Sequence, residues 1–232
     1  MRALVTESIL LLIFTLLAFL FTISVHESAH ALVADRCGDP TARLLGRISL
    51  NPLRHMEMWG TVLVPVLTAV SGLPMIGWAK PTPVDTSRLR QRRRDSILVS
   101  AAGPASNLLT ALACLALLLL VRVASDEGAR VVEQLSLVGS AGLHGSALNP
   151  LATLVYRLLY ISVILGMFNL LPVPPLDGSH IVGELLPAPA LNLYRAAAPF
   201  GFLILLVIFW YTPLDQWLFD HPMRWCNSLL RM

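Results

Sequence analysis

Ser8-Ile-Leu-Leu-Leu-Ile-Phe-Thr-Leu-Leu-Ala-Phe-Leu-Phe-Thr-Ile-Ser-Val25 runs without a charge into His26-Glu27-Ser28-Ala29-His30. About 20 mostly apolar residues are needed for a helix to span hydrocarbon, so the pentad falls at the inner end of a spanning helix. Two histidines and a carboxylate at that depth are costly unless they bind something. The spacing H-E-x-x-H puts both imidazoles on one helical face, where they can hold zinc, with the Glu beside them as a base.

The rest of the chain agrees with a membrane setting. Of 232 residues, 56% are hydrophobic and 13% charged, against about 25% charged in a soluble domain. Further apolar segments run over 96–123, 151–171 and 196–211, while 60–77 is interrupted by Pro65, Gly72 and Pro74. The expected fold is an all-α polytopic membrane protein, a bundle of about four to six transmembrane helices, with a short re-entrant or extended element at 60–77. We expect one membrane-embedded domain over 1–232, its core at about 8–187 and a C-terminal helix at about 190–217. Cys37, Cys114 and Cys226 are scattered and imply no disulfide framework.

Six basic residues lie between Lys80 and Arg94, most of them in the run 88–94. A nucleic-acid or anionic-lipid patch is one reading. A positive-inside anchor on the cytoplasmic side is the plainer one, and it implies no nucleic-acid partner. With 88–94 cytoplasmic, 96–123 runs outward, 124–149 is an external loop and 151–171 runs back inward. For the first helix to meet the end of 151–171 at one depth, it too must run inward. Segment 60–77 must then enter and leave on one face, where broken backbone is tolerated if it packs on protein or lines a cavity.

Catalytic zinc sites commonly use three protein ligands and leave one position open. The stretch Phe168-Asn-Leu-Leu-Pro-Val-Pro-Pro-Leu-Asp177-Gly-Ser-His180 follows an inward helix and is broken by Pro172, Pro174 and Pro175. It is suited to present the Asp177 carboxylate to the bundle interior. His180 is close enough in sequence to be an alternative ligand, though a surface role suits it better. His55 reads as structural, and His144 and His221 fall in a loop and a tail.

H-E-S-A-H at 26–30, G-P-A-S-N at 103–107 and F-N-L-L-P-V-P-P-L-D-G at 168–178 resemble the site-2 protease family of intramembrane zinc metalloproteases. The stretches 51–61 and 77–84 resemble its compact prokaryotic branch, which has no PDZ or other regulatory domain. The resemblance extends from about residue 8 to 215. It departs at Ser179-His180, where the family often has a second glycine. It implies His26, His30 and Asp177 as ligands to one Zn2+ per chain and Glu27 as catalytic acid/base. Asn107 and Asn169, which fall in its motifs, are either interhelical hydrogen-bonding groups or donors to an oxyanion or substrate carbonyl. The segment 77–84, with Trp78 and Lys80, is either a connecting loop or an extended edge on which an unwound substrate could pair.

The resemblance further implies regulated intramembrane proteolysis of membrane-protein substrates that carry a transmembrane helix. The setting would be the lipid bilayer of a prokaryotic inner membrane, with the site towards the cytoplasm. A catalytically silent binder of transmembrane segments would not need Glu27. A metal transporter would need polar residues along a route, and here they gather at one depth. Six histidines with one close pair are too few for a His-rich di-iron oxygenase.

Overall fold

The computed structural model describes residues 2–71, 77–138, 148–214 and 216–232. Helix α1 (Arg2–Cys37) is followed by a one-turn α2 (Thr41–Leu44) and a short α3 (Val64–Val70). Then come α4 (Arg92–Ala124), α5 (Asp126–Val138), α6 (Leu148–Asn169) and α7 (Asp177–Leu185). Helices α8 (Ala188–Ala197), α9 (Gly201–Tyr211) and α10 (His221–Arg231) complete the described elements, among which there is no strand. Among the described residues, four stretches are long and apolar enough to cross a membrane: Ile9–Cys37, Arg92–Ala124, Pro150–Asn169 and Ala188–Tyr211. The chain is an all-α integral membrane protein.

Helix α4 is the hub, packing on α1, α5, α6 and α7. Between lipid-immersed helices there is little hydrophobic driving force, so close packing and interhelical hydrogen bonds hold the bundle. Phe19 and Ile23 of α1 pack on Ile161 of α6, and beside them the buried hydroxyls of Thr22 and Ser162 lie 3.3 Å apart. With 33 residues, α4 is about 50 Å long at about 1.5 Å per residue, well beyond a hydrocarbon core of about 30 Å. Its C-terminal half is surrounded by α5, α6 and α10, where Leu118, Val132, Leu159 and Leu230 are buried together.

That cluster departs from the expected loop at 124–149. Residues 126–138 form a helix, with Val131, Val132 and Leu135 turned to the core and Glu127 and Glu133 away from it. Averaging over a hydropathy window hides such an amphipathic stripe. The remainder of that loop, 139–147 with His144, lies outside the described residues. The C-terminal element differs too. It tightens into a 3-10 turn at Ala198–Phe200, between α8 and α9, and the supposed tail carries α10.

The ambiguous segment enters as a π-helical turn over Met58–Leu63, continues into α3 and returns extended from Gly77. The Trp78 N–H donates to Gly60 O at 2.9 Å, and Thr61 Oγ1 donates to Trp78 O at 2.8 Å. The segment therefore leaves beside the point where it entered. From Met58 to Val70, about 1.5 Å per residue gives about 20 Å, short of a span. Residues 72–76 lie outside the described part.

Loops at the His26–His30 end are tied together by Asp39, a buried residue just beyond α1. Its Oδ1 accepts from the Thr41 N–H at 3.0 Å and from Thr41 Oγ1, and its Oδ2 accepts from the Asp85 N–H at 2.7 Å. Burial alone would raise the Asp39 pKa, but these hydrogen bonds outweigh it and hold the carboxyl below its ordinary value. A depressed carboxyl stabilises the fold above its unfolded pKa and ceases to do so as pH falls through the folded value. Asp39→Ala should cost about 1–3 kcal/mol, because it orphans buried donors. Thermal unfolding in detergent should show wild type losing stability as pH drops below about 4, with a shallower slope in the variant.

Candidate metal centre and catalytic cavity

His26 and His30 are one turn apart on α1 and both buried. Their Nε2 atoms face each other at 3.0 Å. Asp177 is the first residue of α7, directly after the proline-broken stretch, at a helix end that favours a carboxylate. Its Oδ2 lies 3.1 Å from His26 Nε2 and its Oδ1 3.4 Å from His30 Nε2. The His26, His30 and Asp177 ligand atoms all lie within 4.8 Å of one another, the one such group among the described residues. His180 is not in it and is exposed. Seating of α7 depends on Gly178, where a Cβ would come within 2.6 Å of Leu171 O.

The donor set fits a cation. His30 Nδ1 lies 2.7 Å from Val99 O. A carbonyl can only accept, so Nδ1 carries the proton and Nε2 presents a lone pair. Asp177 Oδ2 is buried with no hydrogen-bond donor to satisfy it. A lone pair on His30 and an unsatisfied carboxylate oxygen converging with a second imidazole suit a metal ion.

Helix α4 supplies the wall behind the histidines. A Cβ at Gly103 would stand 2.6 Å from His26 Cε1 and Nε2, and nearer still to His30 Nε2. One turn on, Asn107 is fully buried, with Nδ2 3.1 Å from His26 Nδ1 and Oδ1 lacking a partner. Turned about, the amide would let Oδ1 accept from His26 Nδ1–H, leaving Nε2 as a lone pair facing Asp177. The sequence marks Asn107 as a polar residue in an apolar helix. It gives no sign that Gly103 is what lets the imidazoles approach α4.

Glu27 faces a cavity of about 390 Å³ that it shares with both histidines, Asn169 and Asp177. Its Oε2 accepts from the Thr82 N–H at 2.8 Å, and Thr82 Oγ1 donates to the Glu27 carbonyl at 3.0 Å. Thr82 was not legible as a site residue, because its partner is 55 positions away. Asn169 donates through Nδ2 to Leu165 O of its own helix at 2.9 Å.

Trp78 and Lys80 do not line this cavity; the same extended segment reaches it at Pro81, Thr82 and Val84. The edge that carries their N–H groups is occupied by the protein itself. Besides the Trp78 pairing, the Lys80 N–H donates to His55 O at 2.9 Å. Trp78 Nε1 donates to Glu57 at 2.7 Å, with its indole over Gly60. His55 is fully buried, Nε2 2.7 Å from Ser49 O, and fastens this loop region beside Ser28 of the pentad.

The peptidase family M50 model matches residues 14–208, most of the chain and both halves of the site. The chain belongs to peptidase family M50. This M50 chain is similar to "Putative zinc metalloprotease YwhC" of Bacillus subtilis, 34% identical over 204 residues, covering 88% of this chain and 83% of that one. It is also similar to "Putative zinc metalloprotease Rip2" of Mycolicibacterium smegmatis, 30% identical over 212 residues, covering 90% and 71% respectively. The Mycobacterium tuberculosis H37Rv protein of the same name is 30% identical over 210 residues. No solved structure matches the chain.

Proposed function

We propose that this M50 protein is an intramembrane zinc endopeptidase that cuts membrane-protein substrates within or near a transmembrane helix, in regulated intramembrane proteolysis. The observation that carries the reading is the meeting of Asp177 with His26 and His30, about 150 positions away in sequence, beside Glu27 in one cavity. Its cofactor is Zn2+, and His26, His30 and Asp177 would hold it. When bound, zinc polarises a scissile carbonyl and acidifies water.

Glu27 has the chemistry of the general base. Its carboxylate, oriented by the Thr82 N–H, takes a proton from the attacking water and hands it to the leaving amine. Val99 O and Asn107 hold the two imidazoles with Nε2 inward. Asn169 is free through Oδ1 to meet a substrate amide. A substrate helix must unwind to enter, because its carbonyls are otherwise paired internally. The free edge of 79–83, with the Ala79 N–H and the carbonyls of Pro81 and Pro83, is a place for the unwound chain to pair.

The site lies near one membrane face. Val99 is seven residues from the start of α4, about 10 Å along the helix. The arginines of 88–94 are at that end, so the positive-inside rule assigns it to the cytoplasm, and the bacterial relatives point to a prokaryotic inner membrane. The work is done within one membrane-embedded domain.

The test is hydrolysis of an internally quenched single-span peptide by protein reconstituted in vesicles. Cleavage should stop on treatment with 1,10-phenanthroline and return with added zinc. Cleavage indifferent to the chelator, or intact peptide with zinc-loaded protein, would count against the proposal.

A further inference from the structure

A second, larger cavity of about 700 Å³ adjoins the catalytic one, and Pro175 and His180 line both. Its wall carries Arg92 and Arg93 from the first turn of α4 and Arg195 from α8, with Tyr194 beside them and Glu184 as the one carboxylate. None of the three guanidiniums is ion-paired to a carboxylate among the described residues, unlike Arg43 and Arg88. Tyr194 is fixed by its hydroxyl, which donates to Pro172 O at 2.9 Å, so Arg195 is borne by an anchored turn.

The placement works against helix stability. Cations at a helix N-terminus oppose the macrodipole, yet α4 opens with Arg92, Arg93 and Arg94. A positive-inside anchor accounts for charge at this depth, but not for its joining Arg195 around a recess continuous with the site. On the reading proposed above, a peptide being cut must run through that recess if it leaves the site on this side.

We infer that the recess formed by Arg92, Arg93 and Arg195 is a specificity subsite for acidic residues in the cytoplasmic flank of a membrane-protein substrate. Most cytoplasmic flanks are rich in Lys and Arg. The recess repels those and admits a flank bearing Asp or Glu, so it discriminates by charge as much as by attraction.

The inference rests on the intramembrane protease reading, and its test is separable from it. Zinc-loaded Glu27→Gln protein in phosphatidylcholine vesicles is titrated with single-span peptides that differ only in a flank of Asp, Asn or Lys. Binding, unlike cleavage, reads the recess whether or not the chain is a protease. The Asp flank should bind about 10-fold more tightly than the Lys flank at low salt, and the ratio should approach unity near 1 M salt. In wild type, the kcat/KM ratio should follow the same order.

Arg92→Gln, Arg93→Gln and Arg195→Gln together should remove the preference, and the three Glu substitutions should invert it. Because each protein is compared with itself, a general loss of folded protein cancels. Equal binding of the flanks, or a preference that survives the substitutions, would overturn the subsite. So would a preference that vanishes in phosphatidylglycerol vesicles, since lipid headgroups would then be the occupants. Peptides that bind with the expected preference yet stay intact with wild type would instead refute the protease reading.

Discussion

Glu27→Gln should keep wild-type zinc content while peptide hydrolysis falls by about 10²–10⁴-fold, the usual contribution of a positioned acid–base group. Gln has the shape of Glu, and its side-chain oxygen can still accept from the Thr82 N–H that now meets Glu27 Oε2 at 2.8 Å. What it lacks is basicity. The metal-facing atoms of His26, His30 and Asp177 do not involve Glu27, so the metal should stay. The loss should appear in kcat and kcat/KM together, as for an interaction made in the transition state. Equal turnover by variant and wild type would remove Glu27 from the mechanism.

Gly103→Ala is the second large effect, although it adds only one methyl group. The new Cβ would fall 2.6 Å from His26 Cε1 and Nε2 and closer to His30 Nε2. Those atoms belong to rings fastened at their far sides, by Val99 O on His30 and Asn107 on His26, so neither can turn away freely. Overpacking of this kind costs about 1–3 kcal/mol, and displaced ligands should lower zinc affinity by about 10–100-fold. Gly183→Ala is the control, since a Cβ there meets only Leu191 Cδ1 at an ordinary 3.9 Å. Zinc titration of both variants in detergent should separate them. Wild-type affinity in Gly103→Ala would mean that α4 does not form the wall of the site.

The parts of the site legible in sequence were those with local signatures. His26, Glu27 and His30 are fixed in relation to each other by helical periodicity, and Asp177 is marked by three prolines that leave an unwound stretch before it. The missing parts depend on how helices meet. Gly103 matters because α4 passes α1 at the imidazoles, and Thr82 because a chain returning from Gly77 lies on Glu27. Trp78 and Lys80 mark a segment that reads in sequence as either a connecting loop or a substrate-pairing edge, but the extended backbone alternates its edges, and theirs faces inward. In the fold, the long apolar helices were evident from length alone. Helices α5 and α10 were not, because each carries a half-apolar stripe that window averages dilute.

The most direct test of the central claim is the zinc content of detergent-purified wild type beside Asp177→Ala. About one zinc per chain in wild type, lost or sharply weakened in the variant, is the predicted result. Zinc binding that is indifferent to Asp177→Ala would contradict the claim that α1 and the start of α7 form one metal centre.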